Sequence, residues 1–245
     1  DFGQPDFVKR ENVSFFKFEK KSDGRIRKSI RFVQLLRQIQ PDYVLERGSS
    51  MFTFLAAASC KLLRIPFVFC GASDINFAKN AIDPFFNKSK VKQRLYQWSL
   101  HHVTHFVVQK RKQAMLLKQN FGIRDNVSMI RNFPPDVVTD GAHEEKLYDA
   151  VWVANFIPYK QPELFIELAR RHPQQKFLLI GSSGEKSYND KIRLAAQSIS
   201  NLKAVGYVAP DEVIHLIGKS KIIVNTTFVA SGYEEGFSNV MLMGW

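Results

Sequence analysis

Short runs of β-branched and aromatic residues alternate with amphipathic stretches of about 10 to 17 residues through most of the chain, from Asn12 onward. Runs of this length suit strands that bury their side chains in a sheet. An amphipathic helix between two such strands lets them lie parallel, because parallel strands need a long crossover connection. The alternation therefore predicts repeated βα units on parallel sheets, which is an α/β fold.

The first half of the chain contains five predicted strands, at residues 12–18, 42–46, 66–70, 104–109 and 127–131. Residues 25–39 carry apolar side chains at helical spacing, and residues 52–63 have the composition of a more fully buried helix. Residues 85–102 combine aromatic and basic side chains in a further helical pattern. These elements predict one α/β domain over residues 1–132.

A break follows at NFPPDVVTDGAHEE, where paired prolines, Asp, Thr and Gly favour extended or turning backbone. We predict a linker at 133–147 and a second α/β domain at 148–245. The strands of the second domain are predicted at 149–156, 176–181, 202–207 and 221–227, with helical patterns between them. The whole chain is thus predicted to be two tandem doubly wound, Rossmann-like domains.

Both ends of the chain are unusual for a complete protein of this class. It begins without Met in a polar, turn-like segment and stops at Trp245, only a few residues into a predicted helix. A helix cut there cannot cover its sheet. We therefore expect residues to be missing at both ends, including the first strand and helix of the N-terminal domain.

The net charge of +12 is confined to one part of the chain. Residues 1–140 hold 24 Lys and Arg against 12 Asp and Glu, whereas residues 141–245 hold 11 of each. This asymmetry indicates that the first domain faces an anionic partner, which could be a phospholipid surface, a phosphorylated acceptor or nucleic acid. No recognised nucleic-acid motif is present, so nucleic acid is the least favoured of the three.

The lack of a predicted membrane span or signal peptide and the pattern of the two cysteines both favour the cytoplasm. No run of about 18 uncharged apolar residues occurs, so neither a membrane span nor a signal peptide is predicted. Cys60 and Cys70 lie in apolar segments without metal-ligand spacing, so we predict two reduced core residues. We therefore expect a cytoplasmic protein, with peripheral membrane attachment through the basic residues of 85–102 as one alternative and an ordinary solvated helix face as the other.

The most specific stretch of sequence is NTTFVASGYEEGFSNVMLMGW, at residues 225–245. A predicted strand ends near Thr227, and Glu-Gly-Phe-Ser-Asn then opens an apolar helix. The amides of a helix start favour a phosphate or a polarised hydroxyl, and α/β sheets bind ligands beyond the carboxyl ends of their strands. The alternative is that Ser238 or Asn239 merely caps the helix.

EEGFSNVML resembles the C-terminal signature of GT-B fold, family-4 retaining glycosyltransferases, whose usual form is E-G-F-x-N-x-x-x-E. VWVANFIPYKQPELFIELARRHPQQKFLLIG is similar to the family's VGRLxxxKGxxxLIxA segment and the strand after it. NLKAVGYVAPDEVIHLIGKSKIIVNTT is similar to the unit that precedes the signature. Order and spacing agree over residues 148–245, whereas the first domain resembles the family's acceptor domain more loosely.

The resemblance implies donor-site roles for eight residues. Lys160 matches the basic residue on the donor diphosphate, and Glu235 matches the glutamate that holds donor-sugar hydroxyls. The backbone amides of the loop that follows Glu235 would bind the donor sugar and the phosphate, and the asparagine of that loop would orient the loop. The backbone of Val208 would contact the nucleotide base. The remaining donor-site residues, in sequence order, are Asn155, Gly236, Phe237, Ser238 and Asn239.

Two positions depart from the family pattern. Asn155 stands where the family has Arg, so one diphosphate cation is missing. Met243 stands where the family has a second glutamate, and a methionine thioether accepts hydrogen bonds poorly. The loss of a charge-assisted contact matters by about 1.5 to 3 kcal/mol. Altered donor binding and a catalytically degenerate binding module at a membrane or scaffold are therefore both open.

Acceptor residues are predicted at the strand ends of the first domain. Asp74 follows the strand 66–70, and by resemblance its carboxylate would face the cleft between the domains and bind acceptor hydroxyls. Ser73 and Ser49 are further candidates, although Ser73 and Asp74 could instead form a simple Asx or Ser turn.

The resemblance implies transfer of a sugar from a nucleoside diphosphate sugar to a carbohydrate or lipid-linked acceptor, with retention at the anomeric carbon. Synthesis of cell-surface polysaccharide or glycolipid is the expected role. No D-x-D sequence occurs, and we expect no metal and no other cofactor.

Overall fold

The computed structural model of the chain describes residues 7–10, 13–16, 24–50, 52–78, 89–131, 145–228 and 240–241. The chain divides into two compact units, Asp1–Ile130 and Arg131–Trp245. The predicted linker lies mostly outside the described residues. We describe each unit by itself.

Ten strands and seven α-helices form the described part of the chain. The strands are β1 Phe7–Arg10, β2 Val13–Phe16, β3 Val44–Arg47, β4 Phe67–Cys70, β5 His105–Val108, β6 Val127–Met129, β7 Tyr148–Val153, β8 Phe177–Ile180, β9 Leu202–Val205 and β10 Ser220–Ile223. The helices are α1 Arg25–Ile39, α2 Thr53–Leu63, α3 Lys90–Leu100, α4 Arg111–Phe121, α5 Pro162–Arg171, α6 Lys186–Gln197 and α7 Pro210–Gly218.

The first unit contains a four-stranded parallel sheet in the order β3-β4-β5-β6. Because each crossover advances by one strand and crossovers are right-handed, α2, α3 and α4 cover the same face. Phe67, Phe69 and Phe106 point to that face, where they meet side chains such as Tyr96 and Leu117 in one buried core. Strand order follows chain order in the described part of this sheet, which therefore shows no reversal of winding.

The strand predicted at 12–18 is not part of that sheet. It is β2, which pairs antiparallel with β1, a strand that the sequence pattern did not predict. Arg10 pairs with Val13, so two residues join the strands, and a connection this short permits only an antiparallel hairpin. The joining residues, Glu11 and Asn12, lack the Gly of the common hairpin turns, which is why the hairpin left no clear sequence signal.

The second unit contains a four-stranded parallel sheet in the order β10-β7-β8-β9. The chain moves outward from β7 to β9 and then returns to place β10 on the other side of β7. This reversal sends α5 and α6 to one face and α7 to the other, which is the doubly wound arrangement. The predicted parallel α/β architecture is therefore confirmed, and in this unit the doubly wound topology is explicit.

Alternate residues of β7 supply the two cores of the second unit. Ala150 and Trp152 pack with α5 and α6, whereas Val151 packs on the opposite face with Ile217 of α7. Gly181 follows β8 where a Cβ atom would lie 2.0 Å from the carbonyl oxygen of Ala154, so only glycine fits beside β7.

Other expectations concern membrane spans and the cysteines. Among the described helices, none combines the length and the apolar composition that crossing a bilayer requires. Cys60 is a buried core residue, Cys70 is half-buried, and neither forms a disulfide. Burial raises the pKa of the Cys60 thiol to about 11, which keeps it protonated near neutral pH.

Candidate functional site

The reversal of strand order in the second unit places a topological switch point between β7 and β10. In open α/β sheets, ligands bind beyond the carboxyl ends of the strands at this point, because the chain leaves the two neighbouring strands in opposite directions. Two segments meet there, the loop after β7 at 154–161 and the segment after β10 at 224–228. This edge is the candidate donor site.

Lys160 lies in the loop after β7. The loop forms a short 3₁₀ turn, Pro158–Lys160, that Pro at its first position favours, and the Lys160 amide donates to the Ile157 carbonyl at 2.9 Å. Gln161 then adopts a left-handed conformation with φ of 49°, and α5 begins at Pro162. The Lys160 side chain is half-buried, with its ammonium 5.6 Å from the centre of the Tyr159 ring.

Thr226, after β10, is bonded to the backbone of that loop. Its Oγ1 lies 2.6 Å from the Lys160 carbonyl oxygen and 2.9 Å from the Gln161 carbonyl oxygen. The same Oγ1 accepts a hydrogen bond from Trp152 Nε1 at 2.8 Å. A second tie joins the Phe228 amide to the Tyr159 carbonyl at 3.1 Å. The two segments at the switch point are thus held together by side-chain and backbone bonds.

Of the other predicted donor-site residues, the structure describes two and leaves five outside the described residues. Asn155 is exposed two residues after β7. Val208 is half-buried after β9, with its side chain against the core that faces α7. The predicted sugar-binding residues and the departure at Met243 lie outside the described residues, at positions Glu235, Gly236, Phe237, Ser238 and Asn239. Val240, one residue beyond them, is helical and packs on the same core.

In the first unit, the structure brings Ser49, Ser73 and Asp74 to the carboxyl edge of the sheet. Asn76, which is buried, joins them: its Oδ1 accepts from the Ser73 amide at 2.9 Å and its Nδ2 donates to Ser49 Oγ at 2.8 Å. A 3₁₀ turn, Asp74–Phe77, follows Ser73. The loops after β3 and β4 are therefore tied to each other.

Asp74 is paired within the protein. Its side chain is only 5% exposed, and its Oδ2 lies 3.1 Å from Lys110 Nζ and 3.3 Å from Lys112 Nζ. Among the described residues, neither carboxylate oxygen has a hydrogen bond of good geometry, so these two contacts are ion pairs. An acceptor hydroxyl would have to compete with these ammonium groups, and the acceptor role of Asp74 stays a prediction.

Glu46, at the end of β3, is a polar group that the sequence did not single out. Its Oε1 accepts from Ser50 Oγ at 2.7 Å and from Thr53 Oγ1 at 2.9 Å, while its Oε2 is buried and has no hydrogen-bond partner among the residues that the structure describes. Burial raises the pKa of Glu46 although the two hydroxyl bonds lower it. A Glu in a strand followed by Ser and Thr is too common a pattern to predict this network.

The helix α3 lies within the stretch 85–102, which contains both aromatic and basic residues. Tyr96 is buried and donates to the Asn76 carbonyl at 2.8 Å, so it belongs to the core. Trp98 is half-buried and stacks on His102 at 3.9 Å between ring centres. The exposed face of α3 instead combines basic and aliphatic side chains, which are Lys90, Val91, Lys92, Arg94 and Leu95.

Two of the three histidines near the end of α3, His102 and His105, have protein partners for their side chains. His102 Nε2 lies 2.6 Å from Lys61 Nζ, and His105 Nε2 lies 2.9 Å from Ser128 Oγ. Within the parts of the chain that the structure describes, no three His, Cys, Asp or Glu side chains are grouped so that they could hold a metal ion.

Solved structures with similar folds come from several bacteria. Anabaena Alr3699/HepE in complex with UDP has a TM-score of 0.62 and 15% identity, with 89% of this chain and 60% of that chain covered. The pneumococcal O-GlcNAc transferase GtfA in complex with UDP and GlcNAc has a TM-score of 0.61 and 13% identity, with 93% and 44% covered. A UDP-GlcNAc 2-epimerase from Neisseria meningitidis has a TM-score of 0.59 and 14% identity, with 84% and 61% covered.

Because the sequence identities are low, these likenesses show the fold alone. The chain spans between 44% and 61% of the length of the three structures. No curated protein sequence matches the chain. The family model "Glycosyl transferases group 1" matches residues 135–242, which is nearly the whole second unit. The resemblance of the second unit to glycosyltransferases is thereby confirmed over the matched residues, and the chain has the α/β fold of GT-B glycosyltransferases.

Proposed function

We propose that the protein transfers a sugar from a nucleoside diphosphate sugar to a hydroxyl group of a carbohydrate or lipid-linked acceptor, with retention at the anomeric carbon. The observation that carries the proposal is the position of Lys160. It lies at the switch point of a glycosyl transferases group 1 domain, on a loop that two strand ends hold in place. The Lys160 ammonium would contact the donor diphosphate at this edge, because the fold binds ligands there.

Lys160 would act on the leaving group. Breaking the bond between the sugar and the diphosphate builds negative charge on the departing nucleotide, and a fixed ammonium group stabilises that charge in the transition state. Glu235 would bind donor-sugar hydroxyls, and the amides of Gly236, Phe237 and Ser238 would bind the sugar and the phosphate, oriented by Asn239. In this proposal the departing phosphate guides the incoming hydroxyl, and neither a protein nucleophile nor a metal ion takes part.

UDP is the first nucleotide to test. The printed descriptions of Alr3699/HepE and GtfA name UDP, and that of the Neisseria epimerase names UDP-GlcNAc. Because those proteins share only the fold with this chain, GDP and ADP belong in the same experiment. The backbone of Val208 and the exposed Asn155 would contribute to the donor site of the second unit, and Ser49, Ser73 and Asp74 would bind the acceptor in the first unit.

The experiment is calorimetric titration of UDP, GDP and ADP into the wild type and into Lys160→Ala. We expect one nucleotide to bind and its affinity to fall by about tenfold to a hundredfold in the variant, which corresponds to one charge-assisted contact. Lys203→Ala is the matched control, because Lys203 is an exposed lysine on β9 away from the switch point. Equal affinity in wild type and Lys160→Ala would refute the site.

Activity then separates the proposal from its alternatives. Sugar transfer to added acceptors supports the proposal, whereas interconversion of the UDP-sugar without an acceptor would indicate an epimerase. Binding of nucleotide without either reaction would indicate a catalytically degenerate module, the alternative that Asn155 and Met243 favour because each replaces a polar donor ligand of the family pattern. Product analysis by NMR determines the anomeric configuration.

We further propose that the protein works at the cytoplasmic face of a membrane in the synthesis of cell-surface polysaccharide or glycolipid. The support is the exposed face of α3, where Lys90, Lys92 and Arg94 flank Val91, which is 67% exposed, and Leu95. Basic and aliphatic groups on one helix face suit an anionic lipid surface.

A further inference from the structure

We propose that Thr226, itself held by Trp152, is the positioning residue that fixes Lys160 for the donor diphosphate. The inference rests on the proposed role of Lys160 and adds a residue that no sequence motif of the chain identified. Thr226 would not touch the substrate. It would act through the backbone of the loop that carries Lys160.

The directions of the three hydrogen bonds at Thr226 follow from chemistry. The Trp152 indole nitrogen can only donate, so Thr226 Oγ1 accepts from it at 2.8 Å. The threonine hydroxyl has one hydrogen, and it points toward the carbonyl oxygens of Lys160 and Gln161, at 2.6 and 2.9 Å. The hydroxyl therefore has one orientation, and that orientation serves the Lys160 loop.

The bonds constrain the backbone at the residue where the loop turns. Gln161 has φ of 49° and ψ of 56°, a left-handed conformation that a residue with a side chain adopts at a cost. Two consecutive carbonyls turned toward one hydroxyl stabilise that conformation. Thr226 thereby fixes the peptide that follows the Cα atom of Lys160, and the bond from the Lys160 amide to the Ile157 carbonyl, at 2.9 Å, fixes the peptide that precedes it. Together these bonds set the direction of the Cα–Cβ bond of Lys160.

Trp152 provides a rigid base for this arrangement. Its side chain is only 2% exposed within the core between the sheet and the helices α5 and α6. A buried tryptophan cannot rotate without disturbing its neighbours, so its indole nitrogen presents a fixed donor to Thr226. The core of the second unit is thus connected to the candidate donor site through one hydroxyl group.

The experiment measures UDP affinity by calorimetry in full-chain variants, with GDP or ADP used instead if the wild type selects one of them. Thr226→Val keeps the shape and removes the hydroxyl, and we expect the affinity to fall by about three- to tenfold, as for the loss of one well-made hydrogen bond. Thr226→Ser keeps the hydroxyl and should retain the affinity. Ser198→Ala is the control, because it removes a hydroxyl that donates to the Ala195 carbonyl at 2.8 Å at the end of α6, away from the switch point.

A double-mutant cycle with Lys160→Ala tests whether Thr226 acts through Lys160. We expect Thr226→Val to weaken UDP binding in the wild type and to change it by less than about twofold in the Lys160→Ala background, because the group it positions is gone. An equal loss in both backgrounds would show a general structural effect and overturn the inference.

Two further outcomes keep the inference and the proposed function distinguishable. If Lys160→Ala weakens binding and Thr226→Val does not, the proposed function stands and the inference fails. If Lys160→Ala leaves the UDP affinity unchanged, the proposed donor site is refuted, and the inference about Thr226 falls with it. Should Thr226→Val not fold, Trp152→Phe replaces it: loss of the indole donor should weaken binding by about twofold or more, and an unchanged affinity would overturn the inference.

Discussion

At the residue scale, Glu163, Tyr188 and Lys191 form a polar cluster between α5 and α6. The Tyr188 hydroxyl lies 2.9 Å from both carboxylate oxygens of Glu163, and Lys191 Nζ lies 3.2 Å from one of them. Partial burial alone would raise the pKa of Glu163, but bonds from its backbone, Tyr188 and Lys191 together lower it below the ordinary 4.5. Burial and the neighbouring carboxylate raise the pKa of Tyr188.

This cluster predicts how the stability of the second unit depends on pH. A carboxyl group whose pKa is lower in the folded state stabilises the fold fully above its unfolded pKa, and that contribution is lost as pH falls through the folded value. Tyr188→Phe removes one of the two side-chain donors to Glu163, and we expect the free energy of unfolding to fall by about 1 kcal/mol at pH 7, discounted for the exposure of Glu163.

Urea unfolding at pH 7 and at successive values below 4.5 checks this prediction. The difference between wild type and Tyr188→Phe should shrink as pH falls and Glu163 becomes protonated. Glu185→Gln is a control, because Glu185 is an exposed carboxylate in the same unit. A difference that stays constant down to the lowest pH would contradict the assignment to Glu163.

Sequence reasoning at this scale found residues that carry a family motif and missed residues that support them. Lys160 could be named from the sequence because it matches a basic position of the family pattern that the second domain resembles. Thr226 could not, since its meaning lies in a contact with carbonyls 65 and 66 residues away. The same holds for Asn76, which joins Ser49 to Ser73 across the first sheet.

At the element scale, the helix α3 leads to a prediction about lipid. Replacing Lys90, Lys92 and Arg94 together by Gln should weaken binding to vesicles of phosphatidylglycerol and phosphatidylcholine. Each basic residue near an anionic surface contributes about 1 kcal/mol, so the loss should reach about a hundredfold. Sedimentation of vesicles with the protein measures the binding.

Two controls separate membrane binding from general electrostatics. Vesicles of phosphatidylcholine alone should bind neither the wild type nor the α3 triple variant, because these vesicles carry no net charge. Replacing three exposed lysines of the second unit, Lys176, Lys186 and Lys203, by Gln removes the same charge elsewhere and should leave binding unchanged. Equal losses in the two triple variants would refute a docking role for α3, and strong binding to oligonucleotides instead would favour nucleic acid.

The elements themselves were predicted with more success than their pairing. The helix at 25–39 and the strands of both parallel sheets are present because apolar periodicity is a local property. The antiparallel hairpin of β1 and β2 was missed, since it depends on a short connection without turn-forming glycine. For the residues 85–102 the sequence left a lipid-binding face and an ordinary solvated helix face open, and the structure places Tyr96 in the core.

At the scale of the whole molecule, the two units differ in what they should bind. A ligand that binds only the folded state stabilises it by about 2.7 kcal/mol at a concentration of 100 times its Kd. If the donor site lies at the switch point of the second unit, UDP should slow amide hydrogen exchange there and leave the first sheet nearly unchanged.

Hydrogen exchange with mass spectrometry tests this division. We expect greater protection in peptides that contain residues 154–161 and 224–228 and little change in peptides that cover β3 to β6. Lys160→Ala at the same UDP concentration is the control and should show reduced protection. Protection that increases equally in both units would contradict a donor site confined to the second unit.

The sequence by itself determined the α/β class, the division into a basic and a neutral half, and the family resemblance of residues 148–245, because periodicity, charge and motif spacing are all properties of neighbouring residues. Only the tertiary structure decided that β10 returns beside β7 and sets Thr226 against the Lys160 loop. It also decided that Asp74 is paired with Lys110 and Lys112. These facts depend on which distant segments pack together, and that choice is made by the free energy of the whole folded chain, not by any local stretch.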